Sequence, residues 1–397
     1  MRCTAAIGLG LLSVGLLTLS AAGSSQQAKH EPTTVGSSET VVPEPNFDSS
    51  TVLQMTSASS GWLGWPSVNG QGNGGALAVA RSTDQGRTWV NVTPRATLKG
   101  EALSLVPMGP ETAFLIAVHP GRSATVYVTH DGGTLWTFGR PVSVRFGQGG
   151  AYLSSFGPNV WLEVGGPYRP QGAAAQLLAS QDGGYTWQLV AETGAHPSTI
   201  GTLPGFGWVV FTGEKVGFTS ALTLSQSGNS LEMYRTTDGG KSWVVEPVPG
   251  LWIFIGPPRF SGNSGLAESF PWSEQFPAVL FLGTSDAGKK WEYQGWIGGA
   301  TADVVSGESA VAAPALGAMA APGLGAVDFT TNGARTWQEV SPLASQMGLF
   351  HSKQIVDMSF VSMEIGWALI APKTNPNIDQ VLYLTTDGGA RWQEMAK

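Results

Sequence analysis

The chain has 397 residues, of which 54 are Gly, 25 are Pro and 15 are Trp, and its formal net charge is −7. Its single cysteine, Cys3, excludes a disulfide framework and a cysteine-based metal or redox site. The excess of 28 Asp and Glu over 21 Lys and Arg argues against a nucleic-acid-binding protein, and 42% apolar residues are enough to build a folded core.

Residues 1–23 have the pattern of a secretory signal peptide. Arg2 supplies a positive start, residues 5–19 are apolar, and small residues follow at positions 20–22. An uncleaved N-terminal anchor is the alternative, because the apolar stretch approaches the length of a membrane-spanning helix. We therefore expect a secreted or cell-envelope protein, attached to a membrane only if this segment stays in place.

Residues 24–49 follow, and they are rich in Ser, Thr, Pro and Glu but poor in large apolar residues. Such a composition cannot bury enough apolar surface to fold by itself, so it predicts a flexible linker.

An eight-residue motif then recurs seven times, with Ser or Thr first, Asp third, Gly fifth and Trp eighth. Asp accepts hydrogen bonds from backbone amides and Gly supplies a positive φ, so each copy predicts a hairpin turn. The Trp is predicted to fill the space between sheets. The third and eighth residues of the copies are Asp84 and Trp89, Asp131 and Trp136, Asp182 and Trp187, Asp238 and Trp243, Asp286 and Trp291, Asn332 and Trp337, and Asp387 and Trp392.

Short strand-like segments flank every copy of the motif. Four strands in each repeat of about 50 residues, seven times over, predict an all-β, seven-bladed β-propeller with four-stranded antiparallel blades. The propeller is predicted to span residues 50–397 and to close between its last blade and the blade that starts near residue 51. One option is that a linker strand, residues 40–43, adds to the last blade.

The motif resembles the Asp box of bacterial neuraminidase (BNR) repeats over residues 50–397. That family includes sialidases, sortilin-type receptors, xyloglucan-degrading glycosidases and the photosystem II assembly and stability factor. The form Thr-Thr-Asp-Gly-Gly-x-x-Trp, which ends at Trp243 and at Trp392, is most similar to the photosystem-factor type. The resemblance implies that the Asp boxes lie on outer turns of the blades, away from the central site.

Ligand residues are expected on the opposite face, which is formed by the loops between second and third strands and by the connections between blades. Tyr168 with Arg169 and Trp272 with Glu274 are favoured, since an aromatic beside a charge suits sugar or peptide contacts. The candidate ligand-binding residues are His119, Arg122, Tyr168, Arg169, Trp272 and Glu274, with Lys373, Arg95, Arg145, His196 and His351 as further possibilities.

No catalytic residue, metal ligand or cofactor is predicted, because the five histidines have no ligand spacing and the motif Asp residues serve their own turns. These observations favour an exported, non-catalytic binding or scaffold propeller that assists assembly of a membrane or envelope complex. A monomer that binds a protein or a carbohydrate is expected. The alternative is a carbohydrate-active glycosidase, sialidase-like or xyloglucanase-like, that uses carboxylates of the loop face. No Arg-Ile-Pro motif of the sialidase type occurs.

Overall fold

The computed structural model describes residues 31–37, 40–41, 52–66, 77–95, 102–119, 121–146, 150–165, 174–194, 200–205, 207–225, 228–249, 252–271, 278–298, 301–313, 327–340, 353–375 and 379–395. The predicted fold is confirmed: these residues form a seven-bladed β-propeller with four-stranded antiparallel blades. No helix occurs among them. Accordingly, no described segment is a helix that could cross a membrane.

Each of the first four blades is one sheet whose strands follow one another in the chain. Blade 1 consists of Val52–Met55, Gly61–Pro66, Leu77–Ser82 and Val90–Asn91, and blade 2 of Ala102–Pro107, Ala113–His119, Ser123–Thr129 and Leu135–Phe138, with Val142–Ser143 beside its third strand. Blade 3 consists of Ala151–Phe156, Asn159–Gly165, Ala175–Ser180 and Gln188–Thr193, and blade 4 of Val209–Phe211, Gly217–Ser225, Gly228–Thr236 and Val244–Glu246.

The last three blades repeat this order. In blade 5 the first strand is split into Trp252–Ile255 and Arg259–Ser261, followed by Ser264–Pro271, Ala278–Thr284 and Glu292–Gly298. Blade 6 consists of Thr301–Val304, Ala310–Ala313, Val327–Thr330 and Gln338–Val340, and blade 7 of Lys353–Phe360, Gly366–Pro372, Val381–Thr385 and Gln393–Glu394. First strands of neighbouring blades contact one another, so they form the inner ring, and fourth strands form the rim.

The middle strands of a blade are buried on both faces because a neighbouring blade packs on each. The second strand of blade 2, Ala113–His119, is buried at every position except His119. This requirement explains the continuous apolar runs of the sequence, which a half-exposed sheet would not need. The core is therefore a series of apolar layers between blades rather than one central cluster.

The seven motif turns share one hydrogen-bond pattern, shown by the copy in blade 4. Thr236 Oγ1 donates to Asp238 Oδ1 at 2.8 Å and accepts from the N–H of Gly240 at 2.9 Å. The N–H of Ser242 donates to the same Asp238 oxygen at 2.9 Å. These three bonds recur in all the other copies, including the copy with Asn332.

Each motif turn also fixes the position of a blade against the preceding blade. Gly240 has a φ of +96°, and a Cβ there would lie 2.5 Å from Leu177 Cδ2 of blade 3, so the close approach requires glycine. Trp136 of blade 2 is fully buried, and its Nε1 donates to the carbonyl of Val92 in blade 1 at 2.7 Å. The first hydroxyl and the third-position carboxylate or amide of every motif copy are thereby occupied by the fold.

We expect Asp238→Ala to lower the free energy of unfolding by about 2 kcal/mol, because it removes the acceptor of several hydrogen bonds in one turn. Asp238→Asn is the matched control. Asn332 makes the same bonds and its Nδ2 donates to Thr336 Oγ1 at 2.7 Å, so an amide satisfies this turn. Urea unfolding measures both changes, and an Asn variant as unstable as the Ala variant would contradict the explanation.

The ring closes between blade 7 and blade 1, as predicted. Met55 N donates to Ser359 Oγ at 3.0 Å, joining the inner strands of the two blades. Trp367 of blade 7 is fully buried, and its Nε1 donates to the carbonyl of Gln85 in the motif turn of blade 1 at 2.8 Å. No strand is exchanged across this seam among the described residues.

The linker segment differs from the prediction in two places. Thr33–Gly36 pairs antiparallel with Leu135–Phe138 on the rim of blade 2, and Thr40–Val41 pairs with Val90–Asn91 on the rim of blade 1. The expectation that residues 40–43 extend the last blade is therefore wrong. β-Branched residues such as Val35 favour strands, and the open edges of these two blades supply partners for their backbone groups.

Candidate functional site

Of the predicted ligand residues, the structure describes two. His119 and Arg122 flank the tight turn between the second and third strands of blade 2, where the N–H of Arg122 donates to the carbonyl of His119 at 3.0 Å. His119 is half-buried and Arg122 is exposed. Tyr168, Arg169, Trp272 and Glu274 lie outside the described residues, as do His196 and His351.

Of the further candidates, the structure describes Arg145, Lys373 and Arg95, and the segment of Arg145 lies beside the turn of Arg122, whose carbonyl accepts from Val144 N at 3.2 Å. Arg145 forms an ion pair with Glu192 in blade 3, with 2.6 Å between Nη1 and Oε1. Lys373 is half-buried after the second strand of blade 7, and burial lowers its pKa. Arg95 is exposed beside the linker strand of blade 2, where its N–H donates to Gly36 O at 2.9 Å.

Acidic side chains that the sequence analysis did not select lie on the inner side of blades 5–7. In each blade, one second-strand residue pairs with the Ser or Thr that begins the motif, and the inner-strand residue opposite the next second-strand residue defines a ring position. In the order of blades 1–7 these residues are Gln54, Val106, Ser154, Val210, Arg259, Asp303 and Ser359. Charge therefore occurs at this ring position only in the adjacent blades 5 and 6.

Asp303 combines a structural bond with a charge. In blades 3 and 7 the serine at this ring position accepts the N–H of the next inner strand, as Ser154 Oγ does from Phe211 N at 2.8 Å. Asp303 Oδ2 does the same with Phe360 N at 2.6 Å. Its other oxygen lies 3.8 Å from Arg259 Nη2. A serine would serve the inter-blade bond equally, so the carboxylate adds charge that this bond does not need.

Two more carboxyls lie close enough to Asp303 for their charges to interact, and we call Glu268, Asp303 and Asp357 the carboxylate row. Glu268 is on the second strand of blade 5, and Asp357 is on the inner strand of blade 7, three residues before Phe360. Burial, and secondly the charge of Asp303, raise the pKa of Glu268 to about 7, against a smaller opposing effect of Arg259.

The pKa values of the other two members of the row are also raised. The pKa of Asp357 is raised to about 6. Burial is the largest cause, the N–H of Met358 opposes it, and the charge of Asp303 adds a smaller increase that is included in this value. Burial likewise raises the pKa of Asp303, while Arg259 and the N–H of Phe360 lower it. Glu268 and Asp357 therefore change protonation state near neutral pH. Such groups can bind a cation or transfer protons.

Glu163 is a separate buried carboxyl on the second strand of blade 3, at the position that Glu268 occupies in blade 5. It is fully buried, its Oε1 accepts from Gly207 N at 3.4 Å, and its Oε2 has no hydrogen-bond partner. Burial raises the pKa of Glu163 well above its ordinary value. Glu163 therefore lies between blades 3 and 4 as a carboxyl whose protonated form is favoured by burial.

The described residues contain no group of three or more His, Cys, Asp or Glu placed to hold a metal ion. Two cavities lie away from the carboxylate row. A groove of about 820 Å³ between blades 3 and 4 is lined by Leu189, Tyr234 and Trp243 among others, and one of about 330 Å³ lies beside the motif turn of blade 5. Neither contains a member of the row.

Comparisons with known proteins support the fold. No family model and no curated protein matches the chain. Among solved structures, YCF48 bound to D1 peptide is similar with 18% identity and a TM-score of 0.40 over 74% of this chain and 81% of that one. A fucose-binding lectin of Aleuria aurantia has 12% identity and a TM-score of 0.47 over 89% and 97%. A prolyl endopeptidase has 12% identity and a TM-score of 0.50 over 88% of this chain and 50% of that one.

At 12% identity, the similarity to the prolyl endopeptidase concerns the fold alone. The chain is a seven-bladed β-propeller whose carboxylate row has to be interpreted from its own geometry.

Proposed function

We propose that the protein is an exported, non-catalytic binding or scaffold propeller that assists the assembly of a membrane or envelope protein complex. The observation that carries the binding role is the carboxylate row, in which three adjacent blades contribute one carboxyl each. Arg259 lowers the pKa of two of these carboxyls, those of Glu268 and Asp303. One arginine faces three carboxyls, so the surface formed by the row is negatively charged when the carboxyls are ionised. A surface with this negative charge attracts a positively charged segment of a partner protein.

Two further parts of the proposal rest on the sequence pattern. The motif turns are Asp boxes of the BNR type, and the three hydrogen bonds that all seven copies share support this assignment. Export rests on the signal-like pattern of residues 1–23.

Glycoside hydrolysis is a second candidate, and the pKa of Glu268 favours it. A carboxyl with a pKa of about 7 beside a second carboxyl is the combination with which glycosidases protonate the leaving group. In that function Glu268 would be the general acid, and Asp357 or Asp303 would be the ionised partner.

Calorimetric titration of the purified chain with a lysine tetrapeptide at pH 6 and pH 8 tests the binding role. We expect tighter binding at pH 8, because Glu268 and Asp357 ionise between these values. The double variant Glu268→Gln, Asp357→Asn is expected to weaken binding about tenfold. Asp303→Ser tests the third carboxyl of the row in the same way. The serine hydroxyl can still accept the N–H of Phe360, while the negative charge is lost.

Equal affinity at both pH values, or wild-type affinity in the double variant, would contradict the role of the row. The chain is also assayed with a panel of sialosides, xyloglucan and aryl glycosides. If it hydrolyses any of them and Glu268→Gln does not, glycoside hydrolysis replaces the non-catalytic proposal. Peptide and sugar ligands are both included because the structurally similar YCF48 and lectin were solved with these classes.

A further inference from the structure

The rim of the propeller shows that its blade edges accept additional strands. Blade 1 carries Thr40–Val41 and blade 2 carries Thr33–Gly36, both antiparallel to the outer strand. Blade 3 carries Gly201–Leu203, parallel to its outer strand. In each case an extended segment with no other sheet of its own satisfies the backbone groups of the edge.

Blade 5 has the longest outer strand of the seven, and no fifth strand pairs with it among the described residues. Glu292–Gly298 has seven residues, whereas the outer strand of blade 3, the next longest, has six, and the last three of them pair with Gly201–Leu203. The outer strands of blades 6 and 7 have three and two residues, which is a common way to protect an edge. The edge of blade 5 lacks that protection.

Two aromatic side chains stand on this edge. Tyr293 is 44% exposed and Trp296 is 60% exposed, and Trp296 is the only exposed tryptophan among the side chains that the structure describes. Because of a bulge in the strand, Tyr293 and Trp296 pair with Leu282 and Leu280, two residues apart, so both aromatics lie on one face of the sheet. That face packs against blade 4 farther inward.

The one charged side chain of the strand itself, Glu292, is paired. Lys290 Nζ lies 2.6 Å from Glu292 Oε1 at the start of the strand, and the residues that follow, through Gly298, are uncharged. Beyond Glu292 the strand therefore presents backbone donors and acceptors beside two aromatics and carries no charge of its own. A segment that pairs here needs apolar side chains toward Tyr293 and Trp296 and no charge at its centre.

We propose that the outer strand of blade 5, Glu292–Gly298, binds an extended, uncharged and apolar segment of a partner protein as a fifth β-strand. The occupant pairs antiparallel, as the chain's own Thr33–Gly36 does on blade 2, over at least the same four residues. Main-chain hydrogen bonds supply the affinity, and Tyr293 with Trp296 selects the side chains. The inference rests on the proposed protein-binding function and adds a second site, distinct in chemistry from the carboxylate row.

A displayed library of random heptapeptides, selected on the immobilised full chain, is the probe. We expect enriched peptides to have alternating apolar residues, and the amides of residues 292–298 to exchange more slowly when a peptide is bound. Trp296→Glu is expected to weaken binding about thirtyfold. Leu189→Glu is the matched control, because Leu189 is also exposed on an outer strand, that of blade 3, whose last three residues already pair with Gly201–Leu203.

Peptides that bind Trp296→Glu as tightly as the wild type, or whose protection lies outside residues 292–298, would overturn the inference. A selection that enriches no peptide would overturn it too. Amide exchange on the wild-type chain keeps the test valid even if Trp296→Glu fails to fold. Binding of the lysine tetrapeptide is measured in parallel, so failure at the rim is distinguishable from failure of the carboxylate row.

Discussion

Trp367→Ala is expected to lower the free energy of unfolding by about 3–5 kcal/mol, as truncations of fully buried large aromatics do. Trp367 fills the layer between the last and first blades, and its Nε1 donates to Gln85 O at 2.8 Å. The substitution leaves a cavity at the seam and an unpaired carbonyl. Because the seam joins the two ends of the ring, we expect the whole propeller to lose stability together.

Denaturant unfolding followed by tryptophan fluorescence and by circular dichroism measures this change. Trp296→Ala is the matched control, because the same truncation at a side chain that is 60% exposed is expected to change stability by less than about 0.5 kcal/mol. A small effect at Trp367, or a transition in which only part of the sheet structure unfolds, would show that the seam does not hold the ring.

The second large effect is the pH dependence of stability. The pKa of Glu268 is about 7 in the folded chain against 4.5 ordinarily, so the folded state binds more protons than the unfolded state between these values. Stability therefore falls as pH rises from about 4.5 to about 7, and the part due to Glu268 is about 3 kcal/mol. Above pH 7 this part is fully lost.

Glu268→Gln is expected to remove that part of the slope and to make the chain more stable than the wild type at pH 8. Asp303→Ser is expected to reduce the slope by a smaller amount, because the charge of Asp303 is the second cause of the raised pKa. Unfolding free energies measured between pH 4.5 and pH 8 test both variants. An unchanged slope in Glu268→Gln would contradict the raised pKa.

The architecture could be predicted from the sequence because its signal is local and repeated. Each motif turn is decided by residues within eight positions, and Asp238 with Gly240 makes the same bonds and the same close approach that their chemistry suggests. Ring closure followed from the count of complete repeats. The two linker strands could not be predicted, because Thr33–Gly36 is ordered by an edge about 100 residues away.

The candidate site could not be predicted, because its residues meet only through the ring. Glu268, Asp303 and Asp357 come from three blades, and no sequence spacing relates them. A signal was nevertheless present: each is a single acid within a short strand of otherwise uncharged or largely apolar residues. In a chain with 12% charged residues, an acid in such a strand is unusual enough to select.

The seam between the first and last blades also determines when the chain can become native. Met55 and Ser359, whose bond joins the two inner strands, are 304 residues apart in sequence. Blade 1 therefore has no neighbour for one of its apolar faces until nearly all of the chain has been synthesised. Folding that depends on such distant contacts is slow and leaves apolar surface exposed meanwhile. The ring can thus be completed only once nearly the whole chain is available, and the blades made first keep an open apolar face until then.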